Sequence, residues 1–203
     1  MDKQLWATFI ADFPFLSNPH QYPWEFTNNI VNILKEKQLF LENDYVIEQG
    51  NAVHNTAIVE AGAVIKPPCI IGSNSFIGAN AYLREGVFIG NNVKIGAGCE
   101  IKSSFILNNS AVAHFNYIGN SIIGHDVNFE AGSIAANHYN ERENKKIWVL
   151  IGGNIIKTHV KKFGALVGDG SRIGANAVLS PGTMLQKKSI VKRLELIEQV
   201  NYH

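Results

Sequence analysis

The chain has few charged residues, only two cysteines and no long apolar run. Asp, Glu, Lys and Arg make up 17% of its 203 residues, against about 25% in a typical globular domain, and the net charge is +1. This near-neutral balance lacks the basic surface that nucleic-acid binding requires. No apolar stretch is long enough to span a membrane, and two cysteines make no disulfide framework. We therefore expect a soluble, cytoplasmic protein.

The sequence does contain a repeat, because an aliphatic or similar residue recurs every six positions. A small residue follows four positions after most of these, and a glycine often follows directly. The series tightens to two five-residue steps at Ile118 and Ile123 and is interrupted after Ala135. Its members are Ile47, Val53, Val59, Ile65, Ile71, Ile77, Leu83, Ile89, Ile95, Ile101, Leu107, Ala113, Ile118, Ile123, Phe129, Ala135, Val167, Ile173, Leu179 and Leu185.

A six-residue period predicts an all-β solenoid over residues 47–187. Each hexad forms one short strand and a corner, with the aliphatic residue pointing inward, and three hexads form a coil of about 18 residues. This six-residue repeat resembles that of the hexapeptide-repeat acyltransferases. That resemblance implies a left-handed parallel β-helix.

Three segments do not follow the repeat. Residues 1–46 have helical spacing around Pro23-Trp24-Glu25 and are expected to form a helical N-terminal cap over the first coil, with a partner-binding helix as the alternative. Residues 138–163 are basic and predict an excursion that forms a β-hairpin around Gly152-Gly153. Residues 188–203 are expected to form a C-terminal cap with a short helix, since the hexads end near Leu185, about one coil short of the relatives.

The coil length places Lys66, Arg84 and Lys102 in one column, because they lie 18 residues apart and each follows an inward aliphatic residue. Like charges in a column repel one another unless an anion is near. One interpretation is a solvated ladder that Glu48, Glu85 and Glu100 neutralise. The other is a phosphate or pyrophosphate site, for which arginine is well suited.

His114 lies where the hexads contract, and a distorted corner there can open a cleft. An imidazole commonly exchanges protons near neutral pH, although a surface role is the simpler interpretation. His114, His125 and His138 lack the spacing of the zinc site known on this fold, so we expect no metal. Cys69 and Cys99 are expected to be inert thiols on different faces of the core.

A closer resemblance covers most of residues 20–184. The segments LREGVFIG, IGAGCEIKSSFI and AHFNYIGNSIIGHDVNFEAGS are similar to the acetyltransferase half of bifunctional N-acetylglucosamine-1-phosphate uridylyltransferases, and nearer still to archaeal-type sugar-1-phosphate nucleotidylyltransferases. The archaeal-type proteins also have a nucleotidylyltransferase domain with a glycine-rich nucleotide motif. That motif does not occur in the 203 residues of this sequence. The family's Asn-Tyr-Asp-Gly is replaced here by Asn137-His138-Tyr139-Asn140.

The resemblance assigns a role to each matching position. His114 matches the catalytic base, and Ala131 matches a residue whose backbone N–H faces the thioester oxygen. Asn137 matches a contact on the acetyl-CoA side. The positions that match substrate-binding groups are Arg84 and Lys102 for the phosphate, Tyr117 and Asn128 for the amino sugar, and Lys145 in the loop.

The function that the resemblance implies is acetyl transfer from acetyl-CoA to an amino-sugar phosphate or a nucleotide-linked amino sugar. It also implies a homotrimer with the site between neighbouring subunits. We expect no nucleic-acid or membrane partner. Two alternatives stay open: a non-catalytic, trimeric scaffold that binds a sugar nucleotide, and an O-acyltransferase that uses the same base on a hydroxyl acceptor.

Overall fold

The computed structural model describes residues 1–18 and 20–200 and is a parallel β-solenoid with three flat faces. It agrees with the parallel β-helix that the hexads predict and is consistent with the left hand that the resemblance implies. The strands of face 1 are Asn51–His54, Cys69–Ile71, the ends of Tyr82–Ile89 and Glu100–Ile106, Ile122–Ile123, Ala165–Val167 and Thr183–Leu185. Those of face 2 are Ile58–Val59, Phe76–Ile77, Lys94–Ile95, Ala111–Val112, Asn128–Phe129, Arg172–Ile173 and Ile190–Val191. Those of face 3 are Val64–Ile65, the beginnings of Tyr82–Ile89 and Glu100–Ile106, Tyr117–Gly119, Ile134–Ala135, Val178–Leu179 and Leu196–Ile197.

Asparagine shapes many of the corners, because its short polar side chain tolerates the left-handed backbone conformation. Asn74, Asn92 and Asn109 have φ values of 53°, 57° and 62°. The inward aliphatic residues then stack from coil to coil and are almost fully buried, as Leu83 and Ile101 are at 0% exposure. Burial of each such side chain contributes about 1.5–3 kcal/mol.

The first five-residue step comes earlier than the sequence predicts. Ile106 pairs with Ile89, and Val112 pairs with Ile95. Ile106 and Val112 therefore point inward, in the places that the sequence predicts for Leu107 and Ala113. The reason lies at the corner between faces 3 and 1, which we call the 3–1 corner. There the strand Tyr82–Ile89 turns through Glu85 and Gly86, both with positive φ, whereas the next coil turns through Ser103 alone. The second short step, from Ile118 to Ile123, passes the same corner.

The N-terminal segment covers face 1 and not the end of the first coil. Helix α1 spans Lys3–Ala7 and helix α2 spans Pro23–Gln38, which includes the residues with helical spacing. Face 1 carries apolar residues on its outer side as well, and these form a second core with the helices. Its solenoid members include Ile70, Phe88, Phe105, Ile122, Leu166 and Met184, and its N-terminal members include Trp6, Phe13, Trp24, Phe26, Ile30 and Leu34.

The end of the first coil is flanked by a strand of a different kind. Tyr45–Glu48 pairs antiparallel with Asn51–His54, so Ile47 does not belong to the parallel stack and is 53% exposed. Ile58 and Val64 of the first coil are also exposed, at 60% and 45%.

The predicted hairpin in the excursion is confirmed. Strands Trp148–Ile151 and Asn154–Lys157 pair antiparallel around Gly152 and Gly153, whose φ values of 57° and 81° suit a two-residue turn. Ile147, Val149 and Ile151 are buried against the second core. The excursion leaves the solenoid at the 3–1 corner, where the two shortened steps also lie.

The predicted C-terminal helix is wrong, and so is the predicted end of the hexads near Leu185. Ile190–Val191 and Leu196–Ile197 are strands that pair with Arg172–Ile173 and Val178–Leu179. Val191 and Ile197 continue the six-residue spacing and pack inward on the core. Their burial outweighs the helical preference of the surrounding Lys, Leu and Glu residues. The last three residues of the predicted cap, 201–203, lie outside the described residues.

We predict that Phe105→Ala lowers the free energy of unfolding by about 3–5 kcal/mol, because Phe105 is fully buried between face 1 and the N-terminal segment. Phe115→Ala is the matched control, since this ring is 73% exposed, and its effect should stay within about 0.5 kcal/mol. Urea unfolding measures both. Equal effects of the two substitutions would contradict the described cover of face 1.

Candidate functional site

The predicted basic column lies on face 3, next to the 3–1 corner. Arg84 pairs with Lys102 in the strand register, and the Lys66 N–H donates to the Leu83 carbonyl at 2.8 Å, which places Lys66 one coil before Arg84. Lys102 is buried at 6% exposure, an unusual environment for a lysine. The stacking that the 18-residue spacing predicts is therefore confirmed.

Two carboxylates neutralise part of this column. Arg84 contacts Glu100 through Nε at 2.8 Å and Nη2 at 2.6 Å, and it also forms an ion pair with Glu85. Lys102 Nζ lies 3.0 Å from Glu85 Oε2. Glu48, the third expected partner, forms no ion pair within residues 1–18 and 20–200. The solvated-ladder interpretation thus accounts for Arg84 and Lys102 in the free protein, but not for Lys66.

A fourth cation reaches this group from the excursion. Lys162 lies beside Lys102, and the close contact with the Lys102 side chain and the repulsion between the two charges lower the pKa of Lys162. Burial acts to raise the pKa of Glu85, yet the hydrogen bond from Lys102 and the charges of Lys102, Arg84 and Lys162 hold that pKa below its ordinary value. The cationic cluster of Lys66, Arg84, Lys102 and Lys162 therefore outnumbers its carboxylates. The excursion separates Lys162 from the repeat, so no spacing in the sequence pointed to it.

Tyr117 lies on the coil after Lys102 and is held by a buried amide. Its side chain hydrogen-bonds to Asn137, whose Nδ2 donates to Asn120 Oδ1 at 2.7 Å. Gly119 makes this contact possible, because a Cβ there would lie 2.6 Å from the Tyr117 hydroxyl oxygen and 2.7 Å from Asn137 Nδ2. Burial raises the pKa of Tyr117, so its hydroxyl stays protonated at neutral pH. Asn120 and Gly119 were not among the predicted site residues.

His114 lies at the corner between faces 2 and 3, which we call the 2–3 corner. Its side chain is exposed and makes no hydrogen bond among the residues that the structure describes. Ala131 occupies the same corner on the next coil, where the Gly132 N–H donates to the His114 carbonyl at 3.0 Å. The structure therefore brings His114 and Ala131 together, with Tyr117 three residues after His114 on face 3.

The backbone N–H of Ala131 differs from two of its equivalents on other coils, those of Ala79 and Ala175. The N–H of Ala79 donates to Glu60 Oε2 at 2.7 Å, and that of Ala175 donates to Glu130 Oε2 at 2.9 Å. The position equivalent to Glu60 and Glu130, one coil before Ala131, is occupied by Ala113. An alanine side chain has no acceptor, so the Ala131 N–H lacks this cap.

Three predicted site residues lie apart from this pair. Asn128 is exposed on face 2, where it pairs with Ala111 and Arg172 in the strand register. Asn137 lies at the 3–1 corner and is separated from Ala131 by the strand Ile134–Ala135, so the two predicted acetyl-CoA contacts are not adjacent in one chain. Lys145 lines a cavity within the excursion.

Three further observations concern metal ligands, cysteine thiols and membrane-spanning helices. In residues 1–18 and 20–200, no three His, Cys, Asp or Glu side chains lie close enough together to hold a metal ion. Cys69 on face 1 and Cys99 at the 2–3 corner are buried, free thiols, and burial raises the pKa of each. No helix in the described part of the chain is long and apolar enough to cross a membrane.

Family models match different parts of the solenoid. The family described as bacterial transferase hexapeptide matches residues 44–85, and the hexapeptide repeat of succinyl-transferase matches residues 149–192. Two segments of the solenoid are thus similar to hexapeptide-repeat families. Residues 77–138 of the solenoid, which contain all the predicted site residues except Lys145, match the family described as GMPPB C-terminal domain.

The curated relatives are much longer than the matched segment. The bifunctional protein GlmU of Methanococcus vannielii is 38% identical over 92 residues, which are 45% of this chain and 22% of that protein. The bifunctional sugar-1-phosphate nucleotidylyltransferase/acetyltransferase of Sulfurisphaera tokodaii is 38% identical over 87 residues, 42% of this chain and 21% of that protein. Less than half of this chain is thus similar to about a fifth of each relative.

Two solved structures share a weaker likeness. A putative acetyltransferase from Bacillus cereus is 17% identical, with a TM-score of 0.40 over 71% of this chain and 70% of that one. A variant of the perosamine N-acetyltransferase from Caulobacter crescentus, in complex with CoA and GDP-perosamine, is 17% identical, with a TM-score of 0.33 over 66% of this chain and 50% of that one. Neither likeness is strong enough to transfer a feature of the site.

Proposed function

We propose that this protein transfers an acetyl group from acetyl-CoA to the amine of an amino-sugar phosphate or a nucleotide-linked amino sugar. The observation that carries the proposal is the arrangement along face 3. The cationic cluster lies at one edge of the face, and Tyr117 lies on the coil after Lys102. His114 and the uncapped backbone N–H of Ala131 lie at the other edge. The two bifunctional relatives, one of which is described as a nucleotidylyltransferase/acetyltransferase, support the same reaction class.

In this proposal the phosphate of the acceptor binds to Arg84 and Lys102. Glu85 and Glu100 hold the two side chains in place in the free protein, and the incoming phosphate competes with these carboxylates. Arg84 offers several N–H donors in a plane, which suits the geometry of phosphate oxygens. The Tyr117 hydroxyl, oriented by Asn137, lies in position to contact the sugar.

His114 acts as the general base. As the acceptor nitrogen attacks the thioester carbonyl, the imidazole accepts the proton that the nitrogen loses. The Ala131 N–H donates to the carbonyl oxygen as negative charge develops on it, and CoA leaves as the thiolate. The missing cap on Ala131 supports this role, because a carboxylate at position 113 would occupy the donor and repel the developing charge.

A homotrimer is part of the proposal. The N-terminal segment covers face 1, whereas faces 2 and 3 keep exposed apolar side chains on both sides of the 2–3 corner, among them Ile134 at 37% and Ile190 at 75%. The His114 side chain makes no hydrogen bond in the described part of one chain. The Asn128 side chain is exposed on the outer surface of face 2. Association through faces 2 and 3 would surround His114 and bring Asn128 of one subunit toward face 3 of the next.

We predict that His114→Ala lowers kcat by about 100-fold or more, since general acid–base catalysis contributes at least that factor. The assay is thiol release from acetyl-CoA with glucosamine-1-phosphate and related amino sugars. His54→Ala, which removes an imidazole from the first coil, is the control and should keep the wild-type rate. Full activity of the His114 variant, or no turnover of any amino sugar by the wild type, would refute the mechanism. Turnover of hydroxyl acceptors alone would favour an O-acyltransferase, and lack of acetyl-CoA binding would favour a scaffold.

The same assay separates the phosphate anchor from the base. Lys102→Gln should raise KM for a phosphorylated acceptor by about 10-fold, because it removes a charge-assisted hydrogen bond, and should leave KM for the unphosphorylated amino sugar unchanged. An equal change for both acceptors would contradict phosphate binding at Lys102.

We predict that Ala113→Glu lowers kcat by about 10-fold or more, because the new carboxylate would accept the Ala131 N–H as Glu60 and Glu130 do for Ala79 and Ala175. Ala113→Met adds similar bulk without an acceptor and is the matched control. Steady-state kinetics with saturating acetyl-CoA measure both variants. Similar losses in the two would indicate crowding at the corner and would contradict the role of the Ala131 N–H.

The trimer is tested by light scattering, which should give a mass of about three times the 22.4 kDa of one chain. Ile134→Glu and Ile190→Glu place charges on faces 3 and 2 and should lower this mass. Ile155→Glu is the control, since Ile155 is similarly exposed, at 49%, but lies on the hairpin. A monomeric wild type would refute the subunit arrangement.

A further inference from the structure

The excursion lines an open, basic cavity of its own. Its volume is about 700 Å³, within the range of small-molecule sites, and both arms of the excursion line it. His138 and His159 contribute to the lining, and Glu143 is the one carboxylate in it. The lysines that line the cavity are Lys145, Lys146, Lys157, Lys161 and Lys162.

The charge in this cavity is only partly balanced by the chain itself, through Glu143 in its lining and Glu85 near Lys162. Five of the chain's 18 lysines and arginines line it, and within residues 1–18 and 20–200 none of the five forms an ion pair. The cationic cluster on face 3 differs in this respect, because Glu85 and Glu100 pair with it. Like charges gathered around a cavity repel one another and raise the local positive potential, so an anion with several charges would stabilise the arrangement.

The cavity also has an apolar part and a connection to the site. Ile147 and Val160 supply apolar lining, which suits an organic group attached to the anion. Lys162 lines the cavity and contacts Lys102, so the cavity adjoins the cationic cluster on face 3. A lysine ammonium binds phosphate oxygens as a flexible point charge. A cavity lined by several lysines therefore suits a diphosphate, which carries several negative charges, better than it suits a ligand with one carboxylate.

We propose that this cavity binds the diphosphate group of a nucleotide-type molecule. The molecule is either a nucleotide-linked sugar or coenzyme A, since both carry a diphosphate joined to a nucleoside. The proposal concerns binding alone, so it would hold for a chain that transfers no acetyl group.

Isothermal titration calorimetry on the full chain at low ionic strength tests the proposal with inorganic pyrophosphate, UDP and CoA as probes. We expect saturable binding of pyrophosphate with one site per chain, weaker at higher salt. The double variant Lys146→Gln/Lys161→Gln should bind at least about 10-fold more weakly. Lys35→Gln/Lys37→Gln removes two exposed lysines at the end of helix α2, outside the excursion, and should stay within about 2-fold of wild type. Thermal unfolding checks that both variants are folded.

The probes distinguish the two sources. Preferred binding of UDP supports the cavity as the site of a nucleotide-linked sugar, and preferred binding of CoA supports it as the site of the acetyl donor. Absence of saturable pyrophosphate binding, equal weakening in both double variants, or phosphate binding as tight as pyrophosphate binding would overturn the proposal. A chain that binds pyrophosphate but transfers no acetyl group would refute only the proposed reaction.

Discussion

Inward-facing aliphatic side chains stack on one another along the solenoid axis, and the six-residue period follows from this stacking. Each coil cannot bury its own apolar residues and depends on the coil before and after it. The requirement extends to the C-terminus, where Val191 and Ile197 form strands in a segment whose local composition favours a helix. It also fixes the register of polar residues, because a side chain beside an inward residue must lie above its equivalent one coil earlier. Arg84 and Lys102 are neighbours for that reason.

Departures from the period occur repeatedly at one corner. The two five-residue steps, the positive-φ turns at Glu85 and Ser103, and the start of the excursion all lie at the 3–1 corner. Irregular backbone can be accommodated there without disturbing the inward stack, since a corner contributes little to the core. The same corner carries Lys102, Lys162 and the buried amide of Asn137. A regular scaffold with one irregular edge is a common way to position binding groups.

The outer surfaces of the three faces have different environments. Face 1 is apolar on both sides, and the N-terminal helices and the hairpin cover it. Faces 2 and 3 stay open, and the 2–3 corner with His114 lies between them. Because one face is already covered within the chain, the proposed subunit contacts are confined to the other two. This arrangement explains why a site assembled from one chain leaves Asn128 and Asn137 on different sides of His114.

The sequence by itself determined the solenoid, the hairpin turn at Gly152-Gly153 and the column of Arg84 and Lys102, because each depends on spacing or on local backbone preference. It did not determine which residue of a pair such as Ile106 and Leu107 points inward, since both are aliphatic and the choice depends on whether a corner holds one residue or two. The outward apolar residues of face 1 were visible in the sequence, but only the structure decided that the N-terminal segment lies on them. The contact of Lys162 with Lys102 and the uncapped N–H of Ala131 likewise required the tertiary structure. The excursion gives Lys162 and Lys102 a separation with no fixed relation to the repeat, and the place of Ala113 at the corner before Ala131 depends on the early short step that the sequence did not predict.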